Sequence, residues 1–568
     1  MKIKTSRLVA LSLAVAVLGQ TFFVRATVAD DQNGSSLSAR IARFETQLEG
    51  LRQELKIPAY SAAIVKNQKV IWAKGFGYAD VENKIPATEH TAYHLASLTK
   101  TFASTILMQL VQEGKIKLDD PVSKYGITLE SKGVITVRHL FSHTSEGNPG
   151  EQYSYNGNRF AELDKVVEKA TGKSFAELLI ANILDPLGMN ETAPNVPTNV
   201  STTNAAGQAP SSRPMITEKH QQRFDTVVKI LAQPYGLDRE FNVTKISYPQ
   251  NFSTSAGLIS TVLDMAKYDV AIDQNRFLVK ETQRLAFTPT VSTRGESLPY
   301  GLGWFTTSYK GTKLLWHYGF WTGNSSFILK VPDQNITFII MANSDNLSRP
   351  TELGSGNALS SPVGTAFLKT FIFPEKFGES IPEISWNAPV TEVKAQLKAV
   401  ASKPYADVYK TDLVTKFRIY QSVGRTADTA RVSKLYGELY SKPMPDDLVK
   451  LPVIAQIVQV LDNEDKSVAF NLATKQDVRI FAIGEGQTTG MFDYGWIEDD
   501  KGSRVWEMKP ADTVLAGGVG KNKKVDAQIT LPAGNYKLRY KSDDSHSFDH
   551  WNSLPPDINF WGIAVYKK

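Results

Sequence analysis

Between Leu37 and Leu55 the apolar residues Ile41, Phe44, Leu48, Leu51 and Leu55 recur at steps of three and four, the spacing of one face of an amphipathic helix. The period then changes. Y-S-A-A-I-V-K-N-Q-K-V-I-W, from Tyr60 to Trp72, reads as two strands of a hairpin turning near Asn67. Apolar helical runs with capping residues follow from Thr99. After them, P-Y-G-L-G-W-F (Pro299 to Phe305), L-L-W-H-Y-G (Leu314 to Gly319) and N-I-T-F-I-I-M-A-N (Asn335 to Asn343) read as further strands. A helix, a hairpin, a helical block and more strands in one run predict an α+β domain with an antiparallel sheet over residues 37–375.

The pattern shifts near Phe373. The stretch I-F-P-E-K-F-G-E-S-I-P-E-I-S-W-N-A-P predicts a linker over 376–390, and residues 391–465 are mostly helical in pattern. From there period two takes over: Val468, Phe470 and Leu472, then Val525, Ala527, Ile529 and Leu531, then Tyr536, Leu538 and Tyr540. This predicts a β-sandwich over 466–568. There is no internal repeat, and the one biased tract is the Ser/Thr/Asn/Pro-rich loop from Asn195 to Arg213.

Composition agrees with a folded chain of several domains: 568 residues, 42% apolar and 21% charged. The net charge of +6 gives no support to nucleic-acid binding, because Lys2, Lys4, Arg7 and Arg25 have no acidic partner before Asp30. The same residues flank L-V-A-L-S-L-A-V-A-V-L-G, so residues 1–29 are expected to be a secretory signal, with cleavage after Ala26 or Ala29. Gln20, Thr21 and Arg25 break the run short of the ~20 apolar residues a spanning helix needs. Cysteine is absent, which excludes disulfides, thiolate zinc sites, a cysteine nucleophile and lipid attachment through a thiol. An exported bacterial protein, periplasmic or secreted, is the expectation.

The candidate chemistry lies in H-L-A-S-L-T-K-T-F, from His94 to Phe102. Residues three apart share a helix face, so Ser97 Oγ and Lys100 Nζ can meet, and burial would lower the lysine pKa enough for it to act as a base. This is a Ser-Lys nucleophile pattern. After it come L-D-D-P-V-S-K-Y, I-T-V-R-H-L-F-S-H-T-S, Y-S-Y-N-G-N-R-F, P-L-G-M-N-E-T, S-A-G-L-I-S-T-V-L-D-M-A, P-Y-G-L-G-W-F and W-H-Y-G-F-W-T-G-N, in that order.

From about Ser38 to Phe373 this series resembles the serine β-lactamase and penicillin-binding-protein family, in its class C β-lactamase-like and DD-peptidase-like branch. The resemblance implies that Ser97 is acylated and that Lys100 activates it. It implies Tyr155 as the catalytic tyrosine, able to take the serine proton and pass it to the leaving group. Tyr153 competes for that role, but the aromatic two residues before Tyr155 favours Tyr155. His317-Tyr318-Gly319 matches the third motif, on a strand at the cleft edge. The backbone amides of Ser97 and Phe320 would then form the oxyanion hole, with Asn156, Gly157 and Gly319 among the substrate-binding positions.

The chain also departs from the family. It has Tyr155-Asn156-Gly157 where the family usually shows Y-x-N, and Gly157 has no side chain to reach substrate or lysine. Asn156 or Asn158 could substitute if the loop shifts. His317 stands where many β-lactamases have lysine; a neutral histidine there could hydrogen-bond or titrate near physiological pH. Both departures move the expectation from β-lactamase towards a D-amino-acid peptidase or esterase acting on a small-molecule or peptide acyl substrate. A β-lactamase, or a penicillin-binding sensor that acylates without turnover, is the alternative.

His139 and His143 are expected to be structural, and His90, His94 and His220 carry no pairing logic. Asp544, His546 and His550 could gather around a metal, but in a β-rich region their spacing loses its helical meaning, so no metal and no cofactor are expected. G-E-G-Q-T-T-G, from Gly484, reads as a turn, and G-x-S-x-G and H-E-x-x-H are both missing from the chain. Trp496, Trp506, Trp551 and Trp561, with the polar S-D-D-S-H-S-F-D-H-W-N, leave room for a cell-envelope ligand on the terminal domain. The loop Ala193 to Phe224 is placed near the cleft mouth as a lid or a solvated insertion. Nothing in the sequence sets the oligomeric state.

Overall fold

The computed structural model describes residues 36–195, 218–249, 251–440, 444–487, 489–548 and 550–568. The expected export signal and most of the expected lid loop lie outside the described residues.

Helix α1 (Leu37–Glu54) starts where the Ser36 hydroxyl accepts the Ala39 amide, and it buries Phe44 and Leu48. Strands β1 (Ala59–Lys66) and β2 (Lys69–Asp80) form the expected hairpin, turning through Asn67 and Gln68 at φ 49° and 63°, as a tight hairpin requires. With β3 (Ile85–Pro86), β4 (Phe305–Tyr309), β5 (Thr312–Trp321), β6 (Asn324–Val331) and β7 (Ile336–Ala342) they build a seven-stranded antiparallel sheet in the order β3-β2-β1-β7-β6-β5-β4.

The central strands are apolar throughout because both faces of the sheet are covered. Along β1, Ala59, Ala63 and Val65 face the block of helices inserted between β3 and β4, whereas Tyr60, Ala62 and Ile64 face α1 and the later helices. β7 alternates in the same way, Ile339 and Met341 to one core, Phe338 and Ile340 to the other. Helix α2 (Thr99–Gln112) lies in the first core, with Phe102, Ile106 and Leu107 at most 1% exposed.

P-Y-G-L-G-W-F is not a strand. It is a turn ending in β4, because Gly303 (φ 81°) presses on α2: a Cβ there would lie 2.6 Å from Ser104 Cβ. The helical segment differs from expectation too. Helices α5 (Val390–Val400), α6 (Ala406–Ser422) and α7 (Thr426–Tyr440) pack Leu397, Tyr409, Phe417 and Leu435 into the core that holds Phe44 and Phe338, so they continue the first domain.

The terminal sheets begin at β8 (Val453–Ile457), earlier than residue 466, because β8 pairs with the last strand, β16 (Gly562–Lys567). That pairing joins segments over a hundred residues apart and leaves no local signal. One terminal sheet runs β8-β16-β10-β14-β13, where β10 is Gln476–Gln487, β13 is Val514–Leu515 and β14 is Asn522–Leu531; the short strand Gly490–Met491 also pairs with β10. The other runs β9 (Asp465–Leu472), β15 (Gly534–Lys541), β11 (Tyr494–Asp499), β12 (Arg504–Glu507). Val478, Ile480 and Val565 of the first meet Phe470, Ile497 and Leu538 of the second in one core, which makes a sandwich. Gly484 and Gly486 lie inside β10 and not in a turn, since a Cβ on Gly484 would stand 2.0 Å from the Asp493 carbonyl oxygen.

Candidate active site

The turn that carries Ser97 is held from three sides. Leu95 N donates to Leu258 O at 2.8 Å, Leu258 N donates to Thr99 Oγ1 at 3.0 Å, and Ser326 Oγ donates to Leu95 O at 2.7 Å. Ala96 takes a positive φ of 48°, strain that the surrounding bonds hold in place, with its amide donating to His94 Nδ1. Ser97 follows, half-buried in the short 3₁₀ turn Ala96–Leu98 that leads into α2.

Lys100 Nζ lies 3.0 Å from Ser97 Oγ, 2.9 Å from Ser255 O and 3.3 Å from Ser255 Oγ. Its side chain is fully buried, with the Tyr155 and Phe160 rings 5.1 and 5.2 Å away, and no carboxylate is among these partners. Desolvation lowers its pKa from 10.5 to about 7. Near neutral pH a large share of Lys100 is therefore an uncharged amine, with a lone pair free to accept the Ser97 proton.

Tyr155 is half-buried with its hydroxyl shielded from solvent, and desolvation pushes its phenol well above the ordinary value, with Tyr318 adding to the shift and Ser97 opposing it. Its hydroxyl makes no well-formed hydrogen bond. A phenol in that state gives or relays a proton but does not stand ionised as the resting base. The ring is fixed by His143 at 4.3 Å and by stacking on Phe305 at 6.1 Å. Tyr153, the competing choice, donates its hydroxyl to Gly354 O at 3.0 Å and has no bond to Ser97 or Lys100.

His317 differs from expectation. It is fully buried, Nδ1 donates to Tyr318 O at 2.7 Å, and Nε2 accepts from the Tyr300 hydroxyl at 2.9 Å. Desolvation and the nearby Lys100 hold its pKa well below 6.5, so it stays neutral and does not titrate near physiological pH. With both ring nitrogens engaged, His317 acts as a brace for the cleft-side end of β5 rather than as a group that handles substrate.

Asn156 differs as well. Its Oδ1 accepts the Arg159 amide at 3.0 Å, starting helix α3 (Gly157–Ala161), and its Nδ2 donates to Glu146 at 2.5 Å. That side chain is committed to the loop and is not free to bind substrate. Asn158 is exposed. At Gly157 a Cβ would stand 3.4 Å from Ser255 Oγ and 3.9 Å from Lys100 Nζ. The position thus faces Lys100, and Ser255 supplies the lysine contact that an asparagine there would make.

Gly319 brings β5 against the nucleophile turn: a Cβ there would lie 2.0 Å from Leu95 O. The approach sets Ser97 beside the end of β5, where β4 no longer pairs beyond Trp316. The Gly319 carbonyl accepts from Ser348 Oγ at 3.0 Å, and Phe320 is 42% exposed at the cleft mouth. A cavity of about 750 Å³ lined by Gln47, Glu54, Lys369 and Asp412 does not include Ser97.

Ser255, Tyr300 and His143 were not singled out for the site by sequence. His143 accepts the Asn156 amide at Nδ1, 3.1 Å, and so sets the Tyr155 loop. Ser255 stands in a motif with a visible signal, S-A-G-L, but its approach to Lys100 spans 155 residues.

An α+β antiparallel fold carrying a Ser-Lys-Tyr cluster defines the serine hydrolase class that includes β-lactamases and penicillin-binding proteins. The sequence matches the Beta-lactamase family over residues 43–359, more than half of the chain, and the protein belongs to that family. It is 25% identical over 314 residues to "Penicillin-binding protein 4*" of Bacillus subtilis, covering 49% of this chain and 66% of that protein. It is 26% identical over 344 residues to "Protein flp" of Staphylococcus aureus, covering 53% of this chain and 62% of that protein. The match thus takes in about half of this chain and less than two thirds of either relative. Among solved structures, the octameric penicillin-binding protein homologue from Pyrococcus abyssi aligns with a TM-score of 0.48 at 25% identity, covering 59% of this chain and 81% of that one.

Proposed function

We propose that the protein cleaves an amide or ester bond through an acyl-enzyme on Ser97. The observation that carries this reading is the buried Lys100 amine, 3.0 Å from Ser97 Oγ and with its pKa brought to about 7. Neutral Lys100 takes the Ser97 proton as Oγ attacks the carbonyl carbon. The Ser97 and Phe320 amides hold the negative oxygen of the tetrahedral intermediate. The proton then passes from Lys100 by way of the Tyr155 hydroxyl to the leaving group, and water attacks the ester in a second, similar cycle.

A peptidase or esterase fits better than a β-lactamase. His317 offers no fixed cation for a substrate carboxylate, and Gly157 offers no side-chain amide for an acylamino group. The shared motifs keep D-amino-acid peptides among the substrates to be assayed. We propose further that residues 1–29 direct export to the periplasm or medium, and that the terminal sandwich holds the enzyme on an envelope component.

Incubation with a short-chain p-nitrophenyl ester tests the reading. Steady release of nitrophenol by the wild type and its loss in a folded Ser97→Ala variant are expected. Undiminished release by Ser97→Ala would overturn the assignment.

A further inference from the structure

Glu485 at the end of β10, Asp493 just before β11 and Asp543 just after β15 each place a carboxylate oxygen within 4.8 Å of the other two. Oxygens bound to one calcium ion at about 2.4 Å can be no farther apart than this. Asp493 is 0% exposed, and the Glu485 side chain is 9% exposed.

The cluster is built by the fold. Phe492 N and Asp493 N both donate to Glu485 O, at 2.8 and 3.1 Å. Gly484 lets the Asp493 backbone lie against β10. Asp493 is then fixed by the Asp543 amide on Oδ1 at 2.8 Å and by the Trp561 indole on Oδ2 at 3.0 Å.

Two features point to a missing partner of positive charge. Glu485 Oε2 is buried without a hydrogen-bond partner, although the oxygen beside it accepts from Lys521 at 3.0 Å. Lys521 is the one cation paired with the three acids among the described residues, and buried carboxylates left uncompensated are costly. The donors are all oxygens. His546, the nearest candidate for a softer metal, is already engaged by Asn522 at 2.6 Å and Ser553 at 3.1 Å, and His550 faces Asp462.

We propose that Glu485, Asp493 and Asp543 bind a calcium ion that clamps the terminal sandwich. An all-oxygen, carboxylate-rich set with a partly exposed member suits calcium better than zinc. The ion would tie β10 to the segment after β15, which reaches the hydrolase domain where Gln421 donates to Asn552 O at 3.0 Å.

The test is a titration of the chelator-stripped full chain with terbium(III), exciting tryptophan, since Trp561 touches Asp493. Saturable sensitised emission that excess calcium displaces is expected, with Glu485→Gln and Asp543→Asn each weakening terbium binding on the order of tenfold. Asp543 is partly exposed, so its variant reads binding without a core substitution. Absence of calcium-displaceable emission in the wild type, or emission unchanged in both variants, would overturn the proposal.

Discussion

Lys100 and Lys330 are both buried in the hydrolase domain, 0% and 2% exposed, yet their surroundings set them in opposite states. Lys330 on β6 lies 2.5 Å from Asp269 and 2.9 Å from Asp273, both on helix α4 (Val262–Asp273). Burial alone would lower its pKa, but the two carboxylates more than offset that and hold it above the ordinary value. Lys100 has only a hydroxyl pair and a carbonyl as partners, and desolvation goes unopposed. One lysine is a fixed charge that ties a helix to the sheet. The other, with no carboxylate beside it, is left in large part uncharged near neutral pH.

The largest expected break in the comparison is chemical. Lys100→Met should lower ester turnover by about 10⁴-fold, because Ser97 loses its proton acceptor, whereas no substitution at Lys330 should change the shape of the pH–rate profile. Steady-state rates from pH 5 to 9 check both. Next is structural: Asp269→Asn removes part of Lys330's compensation in the interior and should cost about 3–5 kcal/mol in urea unfolding.

A smaller effect has the opposite sign. With the Lys100 pKa at 10.5 unfolded and about 7 folded, the unfolded chain holds the extra proton between those values, so wild-type stability rises with pH across that window. The cost of the buried ammonium is fully present below about pH 7. Lys100→Met should therefore gain on wild type by about 4 kcal/mol as the pH falls from 10 to 6. Denaturant midpoints at the two pH values decide it. The smallest effect converts one lysine into the other: Ser255→Asp gives Lys100 a carboxylate, and should lower turnover at pH 7 about tenfold while restoring it at higher pH.

Much of this contrast was legible in the sequence, and the reasons differ by residue. Ser97 and Lys100 are three apart across the 3₁₀ turn that leads into α2, so local spacing placed them together. The near-continuous apolar runs of β1 and β7 likewise announced buried strands. P-Y-G-L-G-W-F misled because its alternating pattern comes from glycines that serve close packing, Gly303 on α2 and Gly301 against the Ala286 and Thr288 carbonyls. Ser255, 155 positions from Lys100, and the Tyr300 bond that locks His317 depend on the tertiary path of the chain. The pairing of β8 with β16 depends on it too, and no local pattern carries it.

The most direct test follows acylation of wild-type protein by an activated ester from pH 5 to 9, by intact mass with peptide mapping of the adduct. A single adduct on Ser97, formed at a rate that rises through an apparent pKa near 7 and levels off above it, is the expected result. An adduct on another residue, or a rate on Ser97 that does not vary over that range, would contradict the assignment of Lys100 as the base.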